Sequence, residues 1–327
     1  MIRRRTFART AGTIAAAALV AARSARAQPG PWPGKVIRIV CGFSVGTTTD
    51  LLARLLAARL TERLGASVVV ENRPGAGGTI AAAQVARAVP DGHTLMLASL
   101  ALTLAPRLFN NLTFRPIEDF QPIGMMGYAP NVMLAGLNVP ITSIAELIAE
   151  AKKEPGKLRY ASSGPGSGSW IGCKLLEVKA GIVLEEVPYA STAQATNDAL
   201  GGQVELHCPS LAGGMPLVKD GRLRPLGVTS AKRSAAAPEI PAIAETVPGY
   251  DASAWYGVVG PAGMPEPIVR RLSEEMQTIL NDPSVQLTLR TAGLDVEAGG
   301  AGTLRTVMAD ALVSGNDLMD RIGYRPH

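Results

Sequence analysis

The hydrophobic pattern of the chain switches repeatedly between a strand rhythm and a helix rhythm. Val36–Cys41 is a short, mainly apolar run of the kind that forms a strand covered on both faces. After Gly42–Thr49 the spacing changes. Leu51, Leu52, Leu55, Leu56, Leu60 and Leu64 recur at helical intervals, and Gly65 stands where such a helix would end in a left-handed residue. Ser67–Glu71 predicts a second strand, and the turn Asn72–Gly78 leads into a helix over Ile80–Ala88. Pro90-Asp91-Gly92 then turns into a third strand, His93–Ser99. This βαβαβ order, with right-handed crossovers, predicts a parallel, doubly wound sheet.

A second set of the same kind begins near Asn131. Ser143-Ile144-Ala145-Glu146 has the form of a capping box, and Pro155-Gly156 closes the helix it opens. Strand Leu158–Ser162, the Gly/Ser loop Ser163–Ser169, helix Trp170–Ala180 and strand Val183–Val187 follow. Helix Thr192–Leu200 and strand Val204–Cys208 come next, and strand character returns at Arg224–Thr229. Two helices close the chain, one marked by Ile268, Leu272, Met276 and Ile279, the other over Thr303–Ile322. With no low-complexity linker between the sets, the expectation is two α/β lobes joined by crossing strands, with a cleft between them. One lobe takes residues 28–128 and 253–327, the other 129–252.

Composition supports this class: glycine (35) and proline (24) are abundant and aromatics make up 4%, which suits many tight strand–helix turns. Charge changes the picture more. Arg3, Arg4 and Arg5 lead into Phe7 and Arg9, the pattern of a twin-arginine export signal. A mild apolar stretch, Thr10–Ala22, and the cleavage site Ala25-Arg26-Ala27 complete a signal peptide over residues 1–27. That segment holds six arginines and no acid, so its removal turns the net charge of +5 into −1. A nucleic-acid partner is therefore not expected. Cys41, Cys173 and Cys208 have no close spacing, which excludes a CxxC metal or redox motif, and buried thiols are expected.

The segment Gly42-Phe43-Ser44-Val45-Gly46-Thr47-Thr48-Thr49-Asp50 lies between the first strand and the first helix. A helix start offers unpaired N–H groups and partial positive charge to a carboxylate or phosphate. The bland alternative is that Thr48, Thr49 or Asp50 only caps the helix. Gly42, Ser44 and Gly46 also spell the G-x-S-x-G elbow of serine hydrolases. Too few mature residues precede Ser44 for that fold, and His93, His207 and His327 follow no acid in the required order. In Arg73–Gly78, Ile80 stands where a dinucleotide loop needs its third glycine, so a tight turn suffices. Ser162–Ser169 is a second loop before a helix, and the two loops together could hold a carboxylate without Arg or Lys. No metal or cofactor is expected.

Taken together, these residues resemble the substrate-binding proteins of tripartite tricarboxylate transporters, the Bug receptors. The resemblance runs over nearly the whole mature chain. It includes Gly42–Asp50, Glu71–Gly78, Pro90-Asp91-Gly92, Val187-Pro188-Tyr189, Gly201-Gly202-Gln203 and Val228–Arg233. It implies a periplasmic-binding-protein-like α/β fold of two doubly wound lobes, joined by two crossing strands, that closes on a small organic acid. It also implies membrane permease subunits as partners, a monomer and no enzymatic activity; an orphan ligand sensor is the alternative. By position the ligand residues would be Phe43, Ser44, Gly46, Thr47, Thr48 and Thr49 from one lobe. The other lobe would supply Ser162, Ser163, Gly166, Ser167, Gly168 and Ser169, with Tyr189 beside them. The chain departs from the pattern at Ser44–Thr48, at Ala190-Ser191 and at Pro209, where the family favours Pro-Pro-Gly-Gly-Ala, Lys-Gly and an aspartate. Losing both a cation and an anion implies a less polar distal pocket.

Overall fold

The computed structural model describes residues 32–189 and 191–326. The expected export signal, residues 1–27, and Ala190 lie outside the described residues. The first sheet is built from β1 (Ile37–Cys41), β2 (Val68–Asn72), β3 (Thr94–Ser99), β4 (Phe120–Ala129), β10 (Ala254–Pro261) and β11 (Asp295–Gly300). Its strand order is β11-β4-β10-β3-β1-β2. The second sheet, in the order β7-β6-β8-β5-β9, uses β5 (Val132–Gly136), β6 (Arg159–Ser162), β7 (Glu185–Pro188), β8 (Leu206–His207) and β9 (Leu223–Val228).

β1, β2 and β3 run parallel, as the βαβαβ pattern predicts. So do β6, β7 and β8. Each sheet also carries one inserted strand of opposite sense. β10 lies antiparallel between β3 and β4, and β5 lies antiparallel between β8 and β9. These are the strands that arrive from the other lobe. The chain leaves the first sheet through β4, enters the second through β5 after Pro130-Asn131, and returns from β9 to β10 through residues 229–253. The two crossings are tied together at the hinge. Thr229 N–H donates to the Asn131 carbonyl (2.9 Å), Asn131 N–H to Thr229 Oγ1 (2.7 Å), and Ala252 N–H to the Thr229 carbonyl (2.8 Å).

The parallel strands of both lobes therefore point their C-terminal ends toward the hinge, the edge where open α/β sheets bind ligands. Helices α1 (Thr48–Leu64), α2 (Thr79–Ala86) and α3 (Leu100–Leu108) follow β1, β2 and β3. Helix α1 buries Leu52, Leu56 and Leu60, and it ends at Gly65 in the left-handed conformation (φ 63°). In the second lobe α4 (Ile144–Lys153) precedes β6. Ser143 caps α4 by accepting from Glu146 N–H, but the Glu146 carboxylate accepts from Thr142, so the predicted capping box is only half formed. Helices α5 (Gly168–Ala180), α6 (Thr192–Leu200) and α7 (Leu211–Lys219) complete that lobe.

The chain ends with α8 (Glu266–Leu280), α9 (Pro283–Thr291) and α10 (Ala301–Arg321). Leu318 and Met319 of α10 join a core with Leu176 of the second lobe and Leu104 and Leu108 of α3. The lobes thus share apolar packing beside the hinge as well as the crossing backbone. Cys41, Cys173 and Cys208 are buried free thiols. Among the described residues, no helix is long and apolar enough to cross a membrane.

Candidate ligand-binding site

A cleft of about 240 Å³ opens between the lobes in front of the hinge. Three helices begin on it. The start of α1 brings Thr47, Thr48 and Thr49, and the start of α5 brings Gly166, Ser167 and Gly168. The start of α3 brings Ser99, Leu100 and Ala101. Thr47 is the N-cap of α1, its hydroxyl accepting from Asp50 N–H, and Ser167 caps α5 by accepting from Trp170 N–H. The cap of α1 is thus Thr47, and not Thr48, Thr49 or Asp50. Ser99 ends β3 extended and makes no side-chain cap bond to α3. Among the described residues, the first-turn N–H groups of Thr48, Thr49, Gly168 and Ser169 have no acceptor. Three partial positive charges thus meet at one place, and each carries donors left over from the helix.

No side chain on the cleft wall carries a charge. Ile171, Ala252 and Ala254 supply apolar surface, and Phe43 and Tyr256 supply rings. Burial pushes the Tyr256 phenol up to about 12, with the Thr48 hydroxyl bond acting against it, so Tyr256 stays neutral and can donate. An anion entering here would meet only N–H, hydroxyl and apolar groups. That chemistry favours a carboxylate held by dipoles.

The nearest acid is kept out of the way. Asp50 is buried, and its carboxylate accepts from Gly46 N–H (3.0 Å), Arg54 Nε (3.0 Å) and Asn72 Nδ2 (2.8 Å). Burial works against its charge, but these three donors outweigh burial and hold the carboxyl below its ordinary value. Asn72 also donates to the Phe43 carbonyl (3.1 Å), so one buried group fixes the whole loop. Behind it, a Cβ on Gly42 would come within 2.8 Å of the Gly78 Cα, which explains the glycine-rich turn by close backbone packing. The Phe43 ring rests against Gly78 on the same side.

Residues 52–324 match the family described as the tripartite tricarboxylate transporter family receptor. The chain belongs to this receptor family. It is 34% identical to a UPF0065 protein of Bordetella bronchiseptica over 314 residues, 96% of this chain and 93% of the relative. Among solved structures it is similar to an R. palustris protein with adipate (TM-score 0.79, 33% identity, 90% of this chain and all of the other). The periplasmic binding protein BugD is similar to the same extent (TM-score 0.76, 33% identity, 90% and 100%). The family and the two-lobed α/β fold agree with the reading of the sequence.

The receptor's cleft gathers seven of the thirteen expected ligand residues: Phe43, Thr47, Thr48, Thr49, Gly166, Ser167 and Gly168. The others stand off its wall. Ser44 is exposed at the loop crown, and its carbonyl accepts from Thr47. The Gly46 N–H is already used by Asp50. The hydroxyls of Ser162 and Ser169 accept from Gly164 and Ser163 N–H within their own loop, and Ser163 is exposed. Tyr189 packs partly buried against the core around α6, its hydroxyl bonded to Asp198. Pro209 is buried, and its carbonyl accepts from Val132 N–H.

Among the described residues, Ser44 has no histidine within reach. β3 lies parallel to β1 in the register Arg38 to Thr94, which puts His93 at the sheet edge opposite Ser44. His207 is buried in the second lobe with Nε2 3.0 Å from Thr196 Oγ1, and burial drops its pKa to about 4. His327 lies outside the described residues.

Sequence reasoning missed Ser99, the start of α3, and Tyr256. Ser99 was a legible signal: an N-cap residue between two apolar runs. Tyr256 sits on a crossing strand, and nothing local in the sequence announces that it faces the cleft.

Proposed function

We propose that the receptor captures a small organic carboxylate outside the cytoplasmic membrane and passes it to membrane permease subunits. It works as a monomer without metal or cofactor and performs no chemistry on the ligand. Export uses the twin-arginine signal, with cleavage after Ala27. The lobes that close on the ligand are residues 28–128 with 253–327, and residues 129–252.

One observation carries this reading: three helix starts with spare donors converge on an interlobe cleft that has no charged side chain on its wall. Such donors suit an acceptor-only anion, and bridging waters can complete the contacts at little cost. The adipate in the R. palustris relative supports a carboxylate as the class. The first contacts fall to the N–H groups of Thr48, Thr49 and Gly168, with Phe43 and Tyr256 beside the ligand body.

Titration calorimetry with citrate, glutamate, a short hydroxy acid and an aromatic monocarboxylate tests the reading. At least one should give saturable one-to-one heat, and chromatography should recover it unchanged. Turnover abolished by Ser44→Ala would replace the receptor with a hydrolase.

A further inference from the structure

The cleft does not end at its apolar wall. Leu100 at the start of α3, Ile171 in α5 and Ala252 at the hinge line it on one side and a second hollow of about 350 Å³ on the other. Strand alternation makes the same division along the returning chain. Ala254 and Tyr256 face the cleft, whereas Ser253 and Trp255 face the second hollow. Three side chains, one from each lobe and one from the hinge, line both spaces.

The interior of the second hollow is mainly apolar; its neutral polar groups include the Tyr128 hydroxyl and the Trp255 Nε1–H, which is buried without a hydrogen-bond partner among the described residues. Leu104, Trp255 and Leu318 are buried there, with Leu175, Val178 and Val307 beside them. Its charged groups are Lys179, Asp251, Asp310, Asp317 and Arg321, all exposed at the rim, and Arg321 is already paired with Asp317 at 2.9 Å. A chain entering from the cleft therefore meets no counter-ion in the interior. Leu100 is only partly buried and stands at the boundary between the two spaces.

We propose that cleft and hollow form one binding space, and that the ligand is a monocarboxylate with an apolar chain. The carboxylate sits at the helix starts, and the chain passes Leu100 into the hollow. This rests on the carboxylate reading above. It specifies that a second carboxylate at the far end is disfavoured, because among Leu104, Trp255 and Leu318 that charge would meet one neutral donor, Trp255 Nε1–H, and no cation.

Calorimetry of the mature receptor with butyrate, hexanoate, octanoate and adipate tests this. Affinity should rise about fourfold for each methylene that becomes buried. Hexanoate should bind more tightly than adipate, which has the same carbon count and a second charge. Ala311→Trp and Val307→Trp each place an indole in the hollow without touching the cleft. Either one, if its circular dichroism is native, should erase the gain of octanoate over butyrate and leave butyrate binding unchanged. Equal affinity for butyrate and octanoate, or adipate tighter than hexanoate, overturns the proposal while leaving the carboxylate reading intact. So does an equal loss of both short and long acids in the variants. If none of the four acids gives heat, both fall together.

Discussion

The two loops that face each other across the cleft solve the same problem with different chemistry. Each follows a parallel strand, ends in a hydroxyl N-cap with nearly the same backbone (Thr47 φ −74°, ψ 162°; Ser167 φ −71°, ψ 154°) and presents a helix start. The first loop is held by a buried charge, the Asp50 carboxylate, which links Gly46, Asn72 and Arg54. The second is held by neutral hydroxyls. Ser162 accepts from Gly164 N–H (2.9 Å), Ser169 from Ser163 N–H (3.1 Å), and Ser167 donates to the Gly164 carbonyl (2.7 Å) while bonding Ser169 at 3.0 Å. A strong pin in one lobe and several weak ones in the other imply that the loops should fail differently.

The largest effect should come from Asp50→Ala. It takes the carboxylate from Arg54 and Asn72, which keep only Asn72 Oδ1 and the Phe43 carbonyl as acceptors, and it frees the loop at Gly46. Breaking a buried pair costs about 3–5 kcal/mol, and the half-exposed Arg54 reduces that to about 2–3 kcal/mol here. Urea unfolding measures it, and a cost below about 1 kcal/mol would show that the carboxylate is not what holds the loop. Ser167→Ala should cost less, about 1 kcal/mol, because it removes one cap and two hydroxyl contacts while Ser162 and Ser169 keep theirs. Equal costs in the two variants would erase the contrast between the loops.

The smallest effect, and the sharpest in kind, is in the pH dependence. The folded Asp50 carboxyl lies below its ordinary value of 3.8. Its contribution is therefore present above about pH 4 and is lost as pH falls through the lower folded value. In unfolding experiments the gap between the native receptor and Asp50→Asn should narrow below pH 4, whereas the gap to Ser167→Ala should stay constant. Parallel curves for both variants would contradict the assignment of charge to one loop only.

Much of this arrangement was legible in the sequence because periodicity reports directly on burial. The leucines of α1 and the apolar runs of β1 and β3 announce themselves, and the boundaries of α6 (Thr192–Leu200) agree with the pattern. Helix α3 was masked for a physical reason, with Ser99 as the one local mark of its start. Leu100-Ala101-Leu102 continues the apolar run of β3, and a helix whose first turn is apolar offers no polar face to break the pattern. The crossing strands were hidden for another. Their partners are far away in sequence, so the inserted β5 and β10 follow from the path between lobes and not from local spacing. The site suffered accordingly. Residues beside a helix start could be named, but which hydroxyls were already spent within their loops could not.

In the proposed receptor, backbone N–H groups at helix starts, and not side-chain cations, hold the ligand's carboxylate. Thr48 offers the most direct test, because it is the first residue of α1, where proline is well tolerated and the missing N–H harms no helix bond. Thr47 already has the extended backbone that a following proline requires. Thr48→Pro removes the N–H together with the hydroxyl, whereas Thr48→Ala removes the hydroxyl alone. Titrating both variants with a carboxylate that binds the native receptor isolates the backbone donor. Thr48→Pro should bind about 10- to 100-fold more weakly than Thr48→Ala, as expected for one hydrogen bond to a charged group, with unchanged unfolding midpoints. Equal affinity in the two variants would contradict it.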